Sequence, residues 1–389
     1  MEGDGIAAGG GEVEKRVTPL ELFFDLVFVF ALTQVTGLVS AQPTWQGLGQ
    51  GVLLLGVLWW AWTAYAWLTN TVDPEEGLVR LSLLGAMAAM LVASLAVPGA
   101  FGEDALLFAV AYAVVRIAHL GLYGLAGRGD PELTGAILRL VPATTVGSGL
   151  LLVAAFLDGP AQGALWVVAF AVDLSGPLLG GIRGWRLSAG HFAERHGLII
   201  IIALGESIVA VGVGAAELDL DAGVVIAAVL GIAVAAALWW AYFDVVALVA
   251  ERRLREATGV AQLAMARDSY SYLHLPMVAG IVLVAVGLKK TLAHVEDPLE
   301  LVPAVALCGG VAMYLVAHVL FRLRNVRTLS RRRLVAAGAL LALIPVALAL
   351  PALGTLAAVT TVCAGLIGYE AIRFAEARRQ VRHAPGATA

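Results

Sequence analysis

Ionisable side chains stand at helical spacing inside long apolar runs. Asp25 lies one turn beyond Glu21, on the same face of a run that starts at Pro19. Glu206 is near the middle of another run, in Leu204-Gly205-Glu206-Ser207. Tyr112, Arg116, His119 and Tyr123 form one polar face of a third. Tyr270 and His274 share a face ahead of Pro276, with Ser271 beside them. Asp173 stands ahead of Pro177, and Asp244 and His318 are weaker members of the set. At mid-bilayer an ionisable group costs at least about 2.5–3.5 kcal/mol, so it faces a partner or a wet cavity. Carboxyls that exchange protons, an arginine that holds an anion, and histidines that titrate near neutral pH are the chemistry of ion and solute movement. Structural ion pairs use the same residues, and both readings stay open here.

Some of these groups have a local explanation. Thr18-Pro19-Leu20-Glu21 is a capping box with proline at the first helical position, so Glu21 also reads as a helix-start residue. Gln34 adds a hydrogen-bonding group further along that helix. Glu206 suits a proton carrier, and equally a hydrogen-bond donor that fixes packing beside Gly205. Arg116 needs a carboxylate, with Asp25, Glu206 and Asp173 as candidates. His191, Glu194 and His196 have the spacing H-x-x-E-x-H, not the H-E-x-x-H of a helical zinc site. No nucleophile elbow, phosphate loop or dinucleotide glycine pattern is present, so no enzyme, metal site or cofactor is expected.

The elements that hold these residues are membrane helices. Of 389 residues, 60% are hydrophobic and 14% charged, with a mean hydropathy of +0.88. A soluble domain averages about 45–50% apolar and about 25% charged. A crossing helix needs about 20 mostly apolar residues. Twelve runs qualify: 19–40, 47–69, 78–98, 104–126, 135–157, 162–182, 195–214, 222–249, 269–288, 299–321, 333–350 and 353–373. The last two, joined by Pro351 to Gly354, fit either two crossings or a hairpin that stops short. Lys and Arg gather in both tails and one set of loops, whereas the opposite loops are acidic and hold only Lys289 and Lys290. That asymmetry places both termini in the cytoplasm. Residues 1–16 lack the pattern of a removable signal peptide. Cys308 and Cys363 lie in apolar runs and read as packing residues, and no basic patch suggests nucleic acid as a partner.

The two halves echo each other. Leu58-Trp59-Trp60-Ala61 matches Leu238-Trp239-Trp240-Ala241, Tyr112 to His119 resembles Tyr314 to His318, and Arg139-Leu140-Val141 resembles Arg333-Leu334-Val335. Their common order predicts an all-α fold of two parallel six-helix repeats. The divisions are a tail (1–18), helices 1–6 (19–182), helices 7–12 (183–373) and a second tail (374–389). Helix 7 then corresponds to helix 1, so Glu206 and Asp25 flank one axis, where transporters place their substrate site. A duplication with no transport role leaves the same pattern.

Three blocks carry a family resemblance. They are Thr18-Pro19-Leu20-Glu21-Leu22-Phe23-Phe24-Asp25-Leu26-Val27-Phe28-Val29-Phe30; Glu194-Arg195-His196-Gly197 followed by Ala203-Leu204-Gly205-Glu206-Ser207; and Tyr272-Leu273-His274-Leu275-Pro276 followed by Val278-Ala279-Gly280. In that order they resemble the bacterial low temperature requirement protein A (LtrA) family, across nearly the whole chain. The resemblance implies a multi-pass bacterial inner-membrane protein linked to growth in the cold. It implies no particular activity, substrate or catalytic residue. Phe24-Asp25 is also weakly similar to the Phe-Ser-Asp signature of a lysosomal-type potassium channel family, with phenylalanine in place of its serine.

Together these readings point to a secondary transporter of unspecified substrate, with proton coupling as its simplest form. Asp25, Arg116, His119, Glu206 and His274 are expected along the substrate or ion path, with Glu21, Asp173, Tyr112, Tyr270 and His318 as secondary candidates. The alternatives are an ion channel with helices 1 and 7 lining the pore, and a non-transporting membrane protein of cold or stress adaptation. The expected partners are the lipid bilayer, a small molecule or ion, and a second copy of the chain.

Overall fold

The structure is a computed structural model that describes residues 15–216 and 218–383. The tail before Lys15, Glu217 among the acidic loop residues, and the last part of the second tail lie outside the described residues. The described chain forms α1 (Pro19–Ala41), α2 (Trp45–Leu68), α3 (Gly77–Leu95), α4 (Ala105–Ala126), α5 (Pro131–Ala154), α6 (Gly159–Leu179), α7 (Ala189–Ala216), α8 (Ala222–Glu256), α9 (Gly259–Ala293), α10 (Leu301–Val326), α11 (Arg331–Ala347), α12 (Ala352–Arg373) and α13 (Ala375–His383). Among the described residues, eleven of these helices are long and apolar enough to cross a membrane. The twelfth expected crossing, α11, has 17 residues. The chain is an all-α polytopic membrane protein.

Several helices outrun the apolar segments that announce them. α7 starts at Ala189 rather than at residue 195 and α9 at Gly259 rather than 269, while α8 breaks at Asp244–Val245 and resumes over Val246–Glu256. Hydropathy marks where lipid ends, whereas a helix continues into water as long as its backbone ladder holds.

One face of the bundle gathers the basic loops and both ends of the described chain. Lys15 Nζ donates to the carbonyls of Thr69 (2.5 Å) and Val72 (2.7 Å). Ser188 N donates to Asn70 Oδ1 at 3.0 Å, Arg186 pairs with Asp130, and Arg378 of α13 pairs with Asp244. On the opposite face, Ala352 N donates to Asp297 O (2.8 Å) and Leu353 N to Val295 O (3.0 Å), beside a bridge between Pro298 and Pro351. The α11–α12 turn therefore sits level with the α9–α10 loop, and the hairpin crosses. At about 1.5 Å per residue α11 covers about 26 Å, against a hydrocarbon core of about 30 Å. Residues 348–351 complete the passage.

Packing order follows the sequence within each half. α1 packs on α2 and α3, α3 on α4, α4 on α5, and α5 on α6, which returns to α2. α7 packs on α8 and α9, α9 on α10, α10 on α11, and α11 on α12, which returns to α8. α2, α9 and α10 are the most enclosed, and α3, α5, α6, α8 and α12 present apolar side chains outward, such as Leu81, Leu179 and Val229. Small residues permit the tightest crossing. A Cβ on Gly280 of α9 would stand 2.7 Å from the Gly310 carbonyl oxygen of α10, and one on Gly310 would stand 2.8 Å from that of Gly280.

That crossing makes opposite predictions for one substitution type. Gly280→Ala is expected to lower stability by about 1–3 kcal/mol through overpacking. Gly338→Ala, where a Cβ meets nothing within 4 Å, is expected to be neutral or to stabilise by up to about 1 kcal/mol. Thermal unfolding of both variants in detergent checks the pair, and equal melting would contradict the close approach.

Candidate functional site

Two carboxylates of α1 meet one guanidinium of α7. Thr18 caps α1: its Oγ1 accepts from Glu21 N (3.3 Å), and Glu21 Oε2 accepts from Thr18 N (2.9 Å). Glu21 is also met by His191 Nε2 at 3.0 Å and Arg195 Nη1 at 3.3 Å. One turn on, Asp25 Oδ1 accepts from Arg195 Nη2 (2.5 Å) and Trp62 Nε1 (2.7 Å). Arg195 Nη1 also donates to Thr69 Oγ1 at 3.1 Å. Glu21, Asp25, His191 and Arg195 are all fully buried. Lys15 lies at the surface beside this cluster. Burial holds its pKa below that of a free lysine, against the pull of Glu21 and Asp73.

Deeper on the same seam, Glu206 is 1% exposed, and its Oε2 accepts from Thr33 Oγ1 at 2.5 Å. No ion pair reaches Glu206 among the described residues. Residues 21, 25 and 33 of α1 thus face 191, 195 and 206 of α7 in the same order, so the two helices run parallel.

α9 supplies the second group of polar side chains through a change of pitch. Pro276 has no N–H to continue the ladder, and Ala266–Tyr272 just before it is π-helical. Leu273 N donates to Asp268 O (3.2 Å), and His274 Nδ1 contacts Ser269 O (3.0 Å). A carbonyl only accepts, so Nδ1 carries the proton and Nε2 accepts from Tyr242 OH at 2.8 Å. Trp59 Nε1 donates to Ser271 O (2.9 Å), Trp67 Nε1 to Ser271 Oγ (2.8 Å), Tyr272 OH to Leu174 O (2.6 Å) and Ser269 Oγ to Asn325 Oδ1 (2.8 Å). Ring contacts extend the group. His196 stands 5.1 Å from Trp62 and 5.2 Å from His274, and Tyr242 stands 5.6 Å from His318. Arg333 Nη1 donates to His318 Nδ1 (2.7 Å), and its Nη2 to Glu370 (2.9 Å). Polar and aromatic groups therefore form a line from Asp25 through His196 and His274 to Glu370.

A third group is closed on itself. Arg116 Nη2 donates to Asp173 Oδ1 (2.7 Å) and Thr144 Oγ1 (3.0 Å), and Tyr112 OH donates to Asp173 Oδ2 (3.1 Å). His119 packs between Tyr65 and Tyr123. Arg116, His119 and Tyr123 border a cavity of about 50 Å³ with Trp60, Trp67 and Trp185. A cavity of about 320 Å³ lies between the basic-face ends of α8, α10, α11 and α12.

The sequence candidates thus fall into three places. Glu21, Asp25 and Glu206 share the α1–α7 seam; Tyr270, His274 and His318 belong to the line from α9; Tyr112, Arg116, His119 and Asp173 lie within α4–α6. Of the three carboxyls open to Arg116, Asp173 is its partner. Sequence reasoning left Arg195 at the first position of the 195–214 run and outside the candidate set, and it thereby missed the central cation. The signal was present: His191 and Arg195 are one helical turn apart, like Glu21 and Asp25. Glu370 pairs with Arg332 and Arg333. His191, Glu194 and His196 turn to different partners: Glu21, the amide of Val17, and the carbonyl of Phe192.

Removing the shared cation leaves two buried carboxylates uncompensated. Arg195→Met is expected to lower stability by about 3–5 kcal/mol, and Arg195→Lys by less, since it keeps the charge and loses the fork. Denaturation in detergent measures both; a methionine variant as stable as the parent would contradict the network.

Comparison with known proteins agrees with this architecture. The family described as Bacterial low temperature requirement A protein (LtrA) matches residues 16–368. An uncharacterized protein of Rhizobium meliloti (strain 1021) is 32% identical over 310 residues, covering 76% of this chain and 74% of that protein. No solved structure matches the chain significantly. The matched span runs from the capped start of α1 into α12 and includes every buried charge of the α1–α7 seam, and the chain belongs to the LtrA family.

Proposed function

We propose that the protein is a proton-coupled secondary transporter of the bacterial cytoplasmic membrane, with both termini inside, and that Glu206 takes up and releases the proton. The setting of Glu206 carries this reading. It is buried at the seam between the halves, with a hydroxyl as its partner and, among the described residues, no ion pair, Lys289 acting on it only through space. Asp25, Asp173 and Glu370 each have an arginine: Arg195, Arg116 and Arg333. An intramembrane carboxyl kept outside any direct ion pair is a functional candidate by default.

The reading takes the chain as a parallel six-plus-six repeat, the arrangement in which transporters place a site between halves. The neighbour order of α1–α6 recurs in α7–α12. The two cavities also share a register. Trp60 and Ala64 of the first correspond to Trp240 and Asp244 of the second at one offset, and His119 and Tyr123 to Phe321 and Asn325 at another. The halves differ in burial, since α9 is enclosed whereas its counterpart α3 faces outward. Arg116, His119 and His274 would line the path within this scheme. Proton or solute balance in a cold, stiffened bilayer is one route from such an activity to the requirement in the family's name.

Proteoliposomes holding a pH-sensitive dye test the proposal. With an imposed pH gradient and pooled small solutes outside, saturable solute-dependent proton movement is expected. Glu206→Gln is expected to reduce it to background and Glu206→Asp to retain part. Undiminished movement in the glutamine variant overturns the role of Glu206, and unitary currents in planar bilayers replace the carrier by a channel.

A further inference from the structure

We infer that the cavity between α8, α10, α11 and α12 binds a phosphate-bearing anion at the membrane surface. It measures about 320 Å³, at the low end of the roughly 300–1,000 Å³ usual for small-ligand sites. Arg322, Arg332, Arg333 and Arg378 line it against two carboxylates, Asp244 and Glu370. Both carboxylates are already engaged. Arg378 pairs with Asp244 through Nε and Nη2, and Arg333 donates Nε and Nη2 to Glu370. Arg332 adds only its Nε to Glu370, at 2.7 Å, and Arg322 donates its Nε to Thr328 Oγ1 at 2.8 Å. The outer nitrogens of Arg322 and Arg332 make no hydrogen bond among the described residues. Two guanidinium groups in excess, with free forks, match the oxygens of a phosphate.

Aromatic rings hold the cations in place. Arg332 Cζ lies 4.2 Å from the Phe374 ring centre, and Arg378 Cζ lies 5.4 Å from that of Trp240. Trp240 is also 39% exposed on the outer surface of α8, as an interfacial tryptophan is. The phosphate comes either from an anionic lipid headgroup, which basic pockets between helices at a membrane surface bind, or from a soluble ion. The site is separate from Glu206 and does not depend on the transport reading.

The test uses the full chain in a nonionic detergent with two probes, phosphatidylglycerol and inorganic phosphate. Bound adducts are read by native mass spectrometry and affinity by shifts in melting temperature. At least one probe is expected to bind, more weakly at high salt. Arg322→Gln with Arg332→Gln is expected to weaken binding by about tenfold or more. Arg322→Lys with Arg332→Lys should recover part of it, which separates lost charge from misfolding, and Arg80→Gln on α3 should bind as the parent does. Phosphatidylglycerol binding alone assigns a lipid headgroup, phosphate binding alone assigns a soluble anion, and binding of both supports the shared chemistry. The inference is overturned if neither probe binds, or if the glutamine pair binds as tightly as the parent.

Discussion

Arg195 has to satisfy Glu21 and Asp25 at once, where water cannot share the task, and much of the bundle is arranged around that requirement. The guanidinium is a planar fork, and its two Nη groups reach carboxylates one helical turn apart. This fixes the height of α1 against α7 to within a turn. It also recruits α2, which supplies the Trp62 indole to Asp25 and the Thr69 hydroxyl to Arg195. Three helices are thereby set in register before general packing adds to it. Apolar contact alone would not do this, because lipid tails are as apolar as leucine and give little reason to prefer one height over another.

The π-helical turn of α9 is the second organising point, and it works on the backbone. A straight α-helix at Ser271 would have no surplus carbonyl to offer. The wider turn leaves Ser269 O to His274 and Ser271 O to Trp59, so α2 of the first half is bonded to α9 of the second. Tyr272 reaches a carbonyl of α6, and Ser269 reaches Asn325 of α10. The halves are therefore joined by directional bonds on the basic-face side and by the α1–α7 contact through the bilayer. Rocking between halves would have to exchange these bonds, because leaving them unmade in hydrocarbon is costly.

Fold class, helix order and loop charge were legible in the sequence because the bilayer imposes a length and a polarity on every crossing. The capping box at Thr18 and Glu21 was legible for a similar reason, since its four residues determine it locally. Pairings were not. Arg116 had three carboxyls to choose from, and the choice of Asp173 depends on how closely α5 and α6 approach, which Gly147 permits: a Cβ there would lie 2.9 Å from Asp173 Cβ. Arg195 and Arg333 were hidden by standing at the first positions of apolar runs, where a basic residue is expected at the membrane edge. The π-turn was hidden as well, although Pro276 marked the place where the ladder had to change.

The clasp between the α11–α12 turn and the α9–α10 loop bears on the order in which the chain is built. Its acceptors are the carbonyls of Val295 and Asp297, so it closes only after that loop has reached the far side. A helix of 17 residues beginning with three arginines is a weak crossing by itself. Entering together with α12, it gains a fixed landing point for Pro351 in the α9–α10 loop, which is synthesised earlier in the chain. The last hairpin is thus anchored at both ends: by Arg333 and Glu370 on the basic face, and by the backbone of its predecessor on the other.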